Sequence, residues 1–79
     1  MSAFGQLRDI MATTLQVAPE VITETVTMDD IEEWDSLGHV HIMVALEQAF
    51  DLYMDVEDFA ELQSVPSILE FLAAENAGG

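Results

Sequence analysis

The run Trp34-Asp35-Ser36-Leu37-Gly38-His39-Val40-His41-Ile42-Met43-Val44-Ala45-Leu46-Glu47-Gln48-Ala49-Phe50 decides how this chain folds. Its spacing predicts a helix that starts at Asp35 or Ser36 and runs to about Phe50, with Asp35 able to cap the exposed amides of the first turn. At about 100° per residue, Val40, Ile42, Met43, Leu46 and Phe50 fall on one side, and Gly38, His41, Ala45 and Gln48 on the other. Leu37 and Val44 lie at the boundary beside the outer face, and His39 falls in the apolar stripe. The outer face therefore carries few charges.

Upstream, Phe4, Leu7, Met11 and Leu15 recur at helical spacing, with Ile10 and Thr14 filling the stripe and Ser2 placed to cap the start. Pro19 disfavours helical geometry at Ala18, so this helix is expected to end near Val17. From Glu20 to Trp34 no period is sustained, yet Val21, Ile22, Val26, Met28 and Ile31 are too apolar for a free linker. The segment is expected to be a long ordered loop packed on the core. Downstream, Asp51 to Met54 reads as a loop, and Asp55 caps a short helix over Val56 to Leu62 with Asp58 at its third position. Ser64 caps a last helix carrying Val65, Ile68, Leu69 and Leu72, with Pro66 harmless in the first turn. Residues Asn76 to Gly79 are expected to fray. Strand signals are weak, although Val21 to Met28 is rich in β-branched residues. The expectation is an all-α chain: one domain over residues 1–79, a small helical bundle of three longer helices plus one short helix.

Sixteen Asp or Glu stand against a single Arg8, a net charge of -15, while 51% of the 79 residues are hydrophobic. A disordered acidic tail lacks that apolar content, so a folded domain is expected, and the length leaves no room for a second one. The absence of cysteine removes disulfides and thiolate metal sites. Nucleic acid is excluded as a partner, because its phosphates are neutralised by Lys and Arg and only Arg8 is present. The longest apolar run, Ile42 to Leu46, is far short of the ~20 residues that span a bilayer, so no membrane insertion is expected. The default is a cytoplasmic monomer whose partners are basic proteins.

The segment Trp34-Asp35-Ser36-Leu37-Gly38-His39-Val40, an Asp-Ser-Leu triplet opening an amphipathic helix in a strongly acidic chain of this length, resembles the acyl carrier protein family. The likeness continues through Val40, Ala45-Leu46-Glu47 and Phe50 and covers nearly the whole chain. It implies that Ser36 is esterified with 4′-phosphopantetheine from coenzyme A, whose thiol carries acyl groups as thioesters in fatty acid, polyketide or specialised lipid biosynthesis. It implies Asp35 and Leu37 as local recognition residues, and a phosphopantetheinyl transferase and acyl-loading and acyl-processing enzymes with basic docking surfaces as partners. The docking residues expected are Leu37, His41, Val44 and Glu47 on the helix and Asp29, Asp30, Glu32 and Glu33 before it. An aminoacyl or peptidyl carrier shares this serine chemistry.

The outer face departs from carriers of bacterial fatty acid synthesis, where carboxylates crowd that helix; here it reads Gly38, His41, Ala45 and Gln48. A carrier dedicated to one specialised pathway is expected. The chain is not expected to be an enzyme. Ser36 lacks a Gly-x-Ser-x-Gly elbow, and His39, three residues on, is core-facing by rotation. His39 and His41 do not face each other, and the acidic run before Ser36 lacks the central glycine of a calcium loop, so no metal site is expected. Met11, Met28, Met43 and Met54 are read as fillers of irregular core gaps, and Trp34 as a packing anchor. The terminal Gly78-Gly79 pair matches that of ubiquitin-like modifiers, but those are strand-rich and this chain reads as helical.

Overall fold

A computed structural model describes residues 3–78, and the side chains of residues 3–75. Four helices form among the described residues: α1 (Ala3–Leu15), α2 (Ser36–Phe50), α3 (Val56–Glu61) and α4 (Val65–Gly78), with 3-10 turns at Pro19–Val21 and Met28–Asp30. The chain is all-α as the periodicity predicts. Strand pairing among the described residues is limited to one isolated bridge between Thr27 and Ser64, which removes the strand-rich modifier class. The cap expected at Ser2 lies outside the described residues.

Helix α1 buries Leu7, Met11, Ala12 and Leu15 and packs on α2 and α4. It stops at Leu15, two residues before the end expected from Pro19, because Gln16 takes the left-handed conformation with φ 59°. Gln16 N–H then reaches Thr13 O at 3.3 Å and Val17 N–H reaches Ala12 O at 3.0 Å, the crossed pair that closes a helix. Glycine usually fills that position, so the sequence carries no sign of the stop.

The loop between α1 and α2 is ordered, as expected, and the reason is apolar. Ile22, Val26, Ile31 and Trp34 are buried, Met28 is half-buried, and only Val21 of the expected anchors stays exposed. Backbone bonds tie the loop to the far side of the bundle: Met28 N–H to Gln63 O and Val65 N–H to Val26 O, both 2.9 Å. Asp55 and Asp58 cap α3 reciprocally. Ser64 Oγ accepts from Ser67 N–H at the start of α4, which buries Val65, Ile68 and Leu72. That helix runs to Gly78, and Gly79, the last residue of the stretch expected to fray, lies outside the described residues.

Leu7, Met11, Ile42, Met43, Leu46, Val65 and Ile68 make the solvent-free centre of the core. Of the four methionines read as core fillers, Met11, Met43 and Met54 are buried and Met28 is half-buried. No helix among the described residues is long and apolar enough to cross a membrane.

Candidate functional site

Helix α2 begins at Ser36 because Asp35 stays extended, at φ -95° and ψ -170°, and turns its carboxylate back over the first turn. Asp35 Oδ1 accepts from Gly38 N–H at 2.8 Å and the Asp35 carbonyl accepts from His39 N–H at 2.8 Å. The amides of Ser36 and Leu37 are thereby left for solvent or a ligand. The Ser36 side chain is exposed and makes no hydrogen bond among the described residues. Ser64 and Ser67 differ: they are half-buried, and their hydroxyls bond each other at 2.9 Å within the cap of α4.

The approach of the chain to Ser36 depends on Gly38. A Cβ there would sit 2.6 Å from the Glu33 carbonyl oxygen and 2.9 Å from Leu15 Cδ2, so Gly38 is buried under the loop. This corrects the expected outer face, which placed Gly38 toward solvent. Val40 is corrected in the opposite sense: it is exposed rather than core-facing. The outward stripe of α2 is Leu37, His41, Val44 and Gln48, with Val40 on its flank. Leu37 and Val44 are therefore central to that stripe rather than at its edge.

A buried polar chain stands behind this entry point. Trp34 Nε1–H donates to His39 Nδ1 at 3.0 Å, and His39 Nε2 lies 2.6 Å from the Phe59 carbonyl oxygen. Because the indole can only donate, Nδ1 accepts and Nε2 carries the ring hydrogen toward Phe59. One side chain thus joins the end of the loop, the first turn of α2 and the last turn of α3. Periodicity showed that His39 faces inward, but its partners come from residues 5 and 20 positions away and left no local signal.

Among the expected docking residues, Asp29, Asp30, Glu32, Glu33, Leu37, His41 and Val44 are exposed. Asp30 also caps the 3-10 turn at Met28, accepting from Thr27 N–H at 3.0 Å. Glu47 is half-buried, and its Oε2 accepts from Met54 N–H at 2.9 Å, so it anchors the loop between α2 and α3. The described residues hold one ion pair, Arg8 with Asp9 at 3.3 Å on α1. The acidic run before Ser36 is therefore uncompensated, and the field around the hydroxyl is negative. No cluster of three His, Asp or Glu side chains among the described residues is arranged to hold a metal ion.

A bulky phosphodiester fits this place: the hydroxyl is open, two first-turn amides are uncommitted, and the helix dipole favours negative charge there. The phosphopantetheine attachment site family model matches residues 5–72. An acyl carrier protein of Syntrophobacter fumaroxidans is 38% identical over 69 residues, covering 87% of this chain and 85% of that protein. One of Clostridium acetobutylicum is 33% identical over 72 residues, 90% and 92% of the two chains. The solution structure of holo acyl carrier protein from Geobacter metallireducens superposes with a TM-score of 0.84 at 23% identity, over 98% of this chain and 88% of that one, which speaks for the fold. Together with an open serine at the head of α2 in a four-helix bundle, these matches show that the chain belongs to the acyl carrier protein family, which binds phosphopantetheine covalently.

Proposed function

We propose that Ser36 is the attachment residue, and that the chain hands acyl groups between enzymes without catalysing their chemistry. The observation that carries this is the Ser36 hydroxyl: exposed, unbonded and first in α2, where the other described serines are spent in a cap. In the attachment, Ser36 Oγ forms a bond to phosphorus of coenzyme A, the pyrophosphate P–O bond breaks, adenosine 3′,5′-bisphosphate leaves, and the hydroxyl proton passes to the transferase. The bound group supplies a thiol on a long flexible arm, where acyl groups are held as thioesters.

The chain's own residues present that arm. Asp35 holds the first turn in register through Gly38, Leu37 stands exposed beside the serine as a recognition contact, and Asp29, Asp30, Glu32 and Glu33 attract basic enzyme surfaces. His39 does not act as a base, since both ring nitrogens are taken. We infer one carrier domain working as a cytoplasmic monomer with a phosphopantetheinyl transferase and acyl-loading and acyl-processing enzymes. The uncharged outward stripe of α2 supports service to one dedicated pathway; turnover by fatty acid synthase enzymes as fast as their own carrier would refute that part. The attachment is tested by incubating wild type and Ser36→Ala with coenzyme A, Mg²⁺ and a broad-specificity transferase and weighing the intact chains. Wild type is expected to gain one phosphopantetheine and Ser36→Ala none; equal gain in both would remove Ser36 from the role.

A further inference from the structure

Among the described residues the core contains one polar or charged side chain, His39, at 6% exposure. A buried imidazole costs free energy unless its ring nitrogens are bonded, and a leucine would fill the same space without that requirement. What the two bonds hold is therefore what the histidine contributes. Nδ1 accepts from the Trp34 indole at 3.0 Å, with the ring centroids 6.0 Å apart. Trp34 is 1% exposed, and its backbone N–H donates to the Ile31 carbonyl at 3.1 Å, so it is the fixed end of the loop. On the other side, Nε2 serves α3. A helix leaves its last carbonyls unpaired. Here the Asp58 carbonyl takes Leu62 N–H and the Glu61 carbonyl takes Gln63 N–H, both at 3.0 Å, while the Phe59 carbonyl takes the imidazole at 2.6 Å. A residue of α2, three positions after Ser36, thus caps α3.

Three bonds bracket Ser36 without engaging its hydroxyl: the Trp34 side chain to the His39 side chain, Gly38 N–H to Asp35 Oδ1, and His39 N–H to the Asp35 carbonyl. The last two are those of any carboxylate-capped helix. The first joins two side chains across the head of α2 and fixes the angle at which the loop enters it. Resting on Ser36 as the attachment residue, we infer that His39 is a positioning residue for the transfer: by tying Trp34 and α3 to the first turn of α2, it presents Ser36 Oγ to the coenzyme A phosphorus at one set angle. The bond changes are those given above, Oγ–P forming as the pyrophosphate P–O bond breaks. His39 takes no proton in them, because Nδ1 is held by the indole and Nε2 already carries its hydrogen. Its effect passes through Trp34 to the geometry of attack, where a displacement of about 1 Å costs on the order of a hundredfold in rate.

The test is single-turnover transfer from coenzyme A by a broad-specificity phosphopantetheinyl transferase in excess over the full chain, followed by intact mass. Wild type, His39→Leu, His39→Gln, Trp34→Phe and the Trp34→Phe/His39→Leu double variant are compared at a temperature where circular dichroism shows each one folded. His39→Leu is expected to lower the maximal rate about tenfold, with the half-saturating transferase concentration within about twofold of wild type, because the exposed surface is unchanged. His39→Gln, which can accept from the indole and donate to Phe59, should recover the rate to within about threefold of wild type. Trp34→Phe keeps a buried ring without the N–H, and the double variant should be no slower than about twofold below His39→Leu, since both changes remove one bond. Where His39→Leu loses its fold, Trp34→Phe carries the same test with the α3 cap in place. A maximal rate within about twofold of wild type in the variants lacking the indole bond would overturn the inference, as would equal losses in the leucine and glutamine variants or fully multiplicative losses in the double variant. Those results would leave Ser36 attachment intact, whereas no mass gain on wild type would overturn the attachment reading and this inference with it.

Discussion

Gly38 governs how closely residues 33–35 approach the head of α2. Because a methyl group there meets a backbone carbonyl at 2.6 Å, Gly38→Ala must push the loop or tilt the helix. Urea unfolding is expected to show a loss of about 1–3 kcal/mol despite alanine's better helix propensity, and no loss would mean the loop yields freely. Asp35→Ala removes the carboxylate that accepts from Gly38 N–H and should cost about 1 kcal/mol by the same measurement. The sequence carried Asp35 and Ser36 plainly, since capping chemistry is local. It did not carry the burial of Gly38: a residue without a side chain gives hydropathy nothing to read, and its neighbours Leu15 and Glu33 are set by tertiary approach.

At the scale of elements, the joint between the loop, α2 and α3 rests on His39. His39→Leu keeps the apolar packing but leaves the Trp34 N–H and the Phe59 carbonyl without partners, at a cost of about 1–3 kcal/mol. Trp34 is the sole tryptophan, so its emission reports the joint directly. A red shift and faster amide exchange in α3 are expected for His39→Leu, and a smaller change for His39→Gln, which can both accept and donate. Unchanged emission in the leucine variant would contradict the joint. Helix existence and type were legible from periods and caps, because both are written within one or two turns of chain. The face of α2 was read less well. Val40 stands three residues after Leu37 and four before Val44, so the helical period itself groups it with that outward side, and its inward placement was an error of phase. Glu47 likewise read as a docking charge because its partner, the Met54 amide, lies past the helix end.

For the molecule as a whole, a charge of -15, with one ion pair and sixteen buried apolar residues among the described residues, means that repulsion acts against a small core. Raising NaCl from roughly 20 mM to roughly 500 mM is expected to lift Tm by about 5 °C or more, since 1 kcal/mol moves a domain of this size by about 4–8 °C. A flat Tm would show that the carboxylates are spaced widely enough to ignore one another. The carboxylates of Asp29, Asp30, Glu32, Glu33 and Asp35 are exposed and take part in no ion pair among the described residues, so the field that costs stability also marks the place where basic partners are expected to arrive. The most direct test of the central claim is fragmentation mass spectrometry of the transferase-treated chain, which locates the added group by residue. Fragment masses should place it on Ser36, and placement on Ser2, Ser64 or Ser67 would contradict the account.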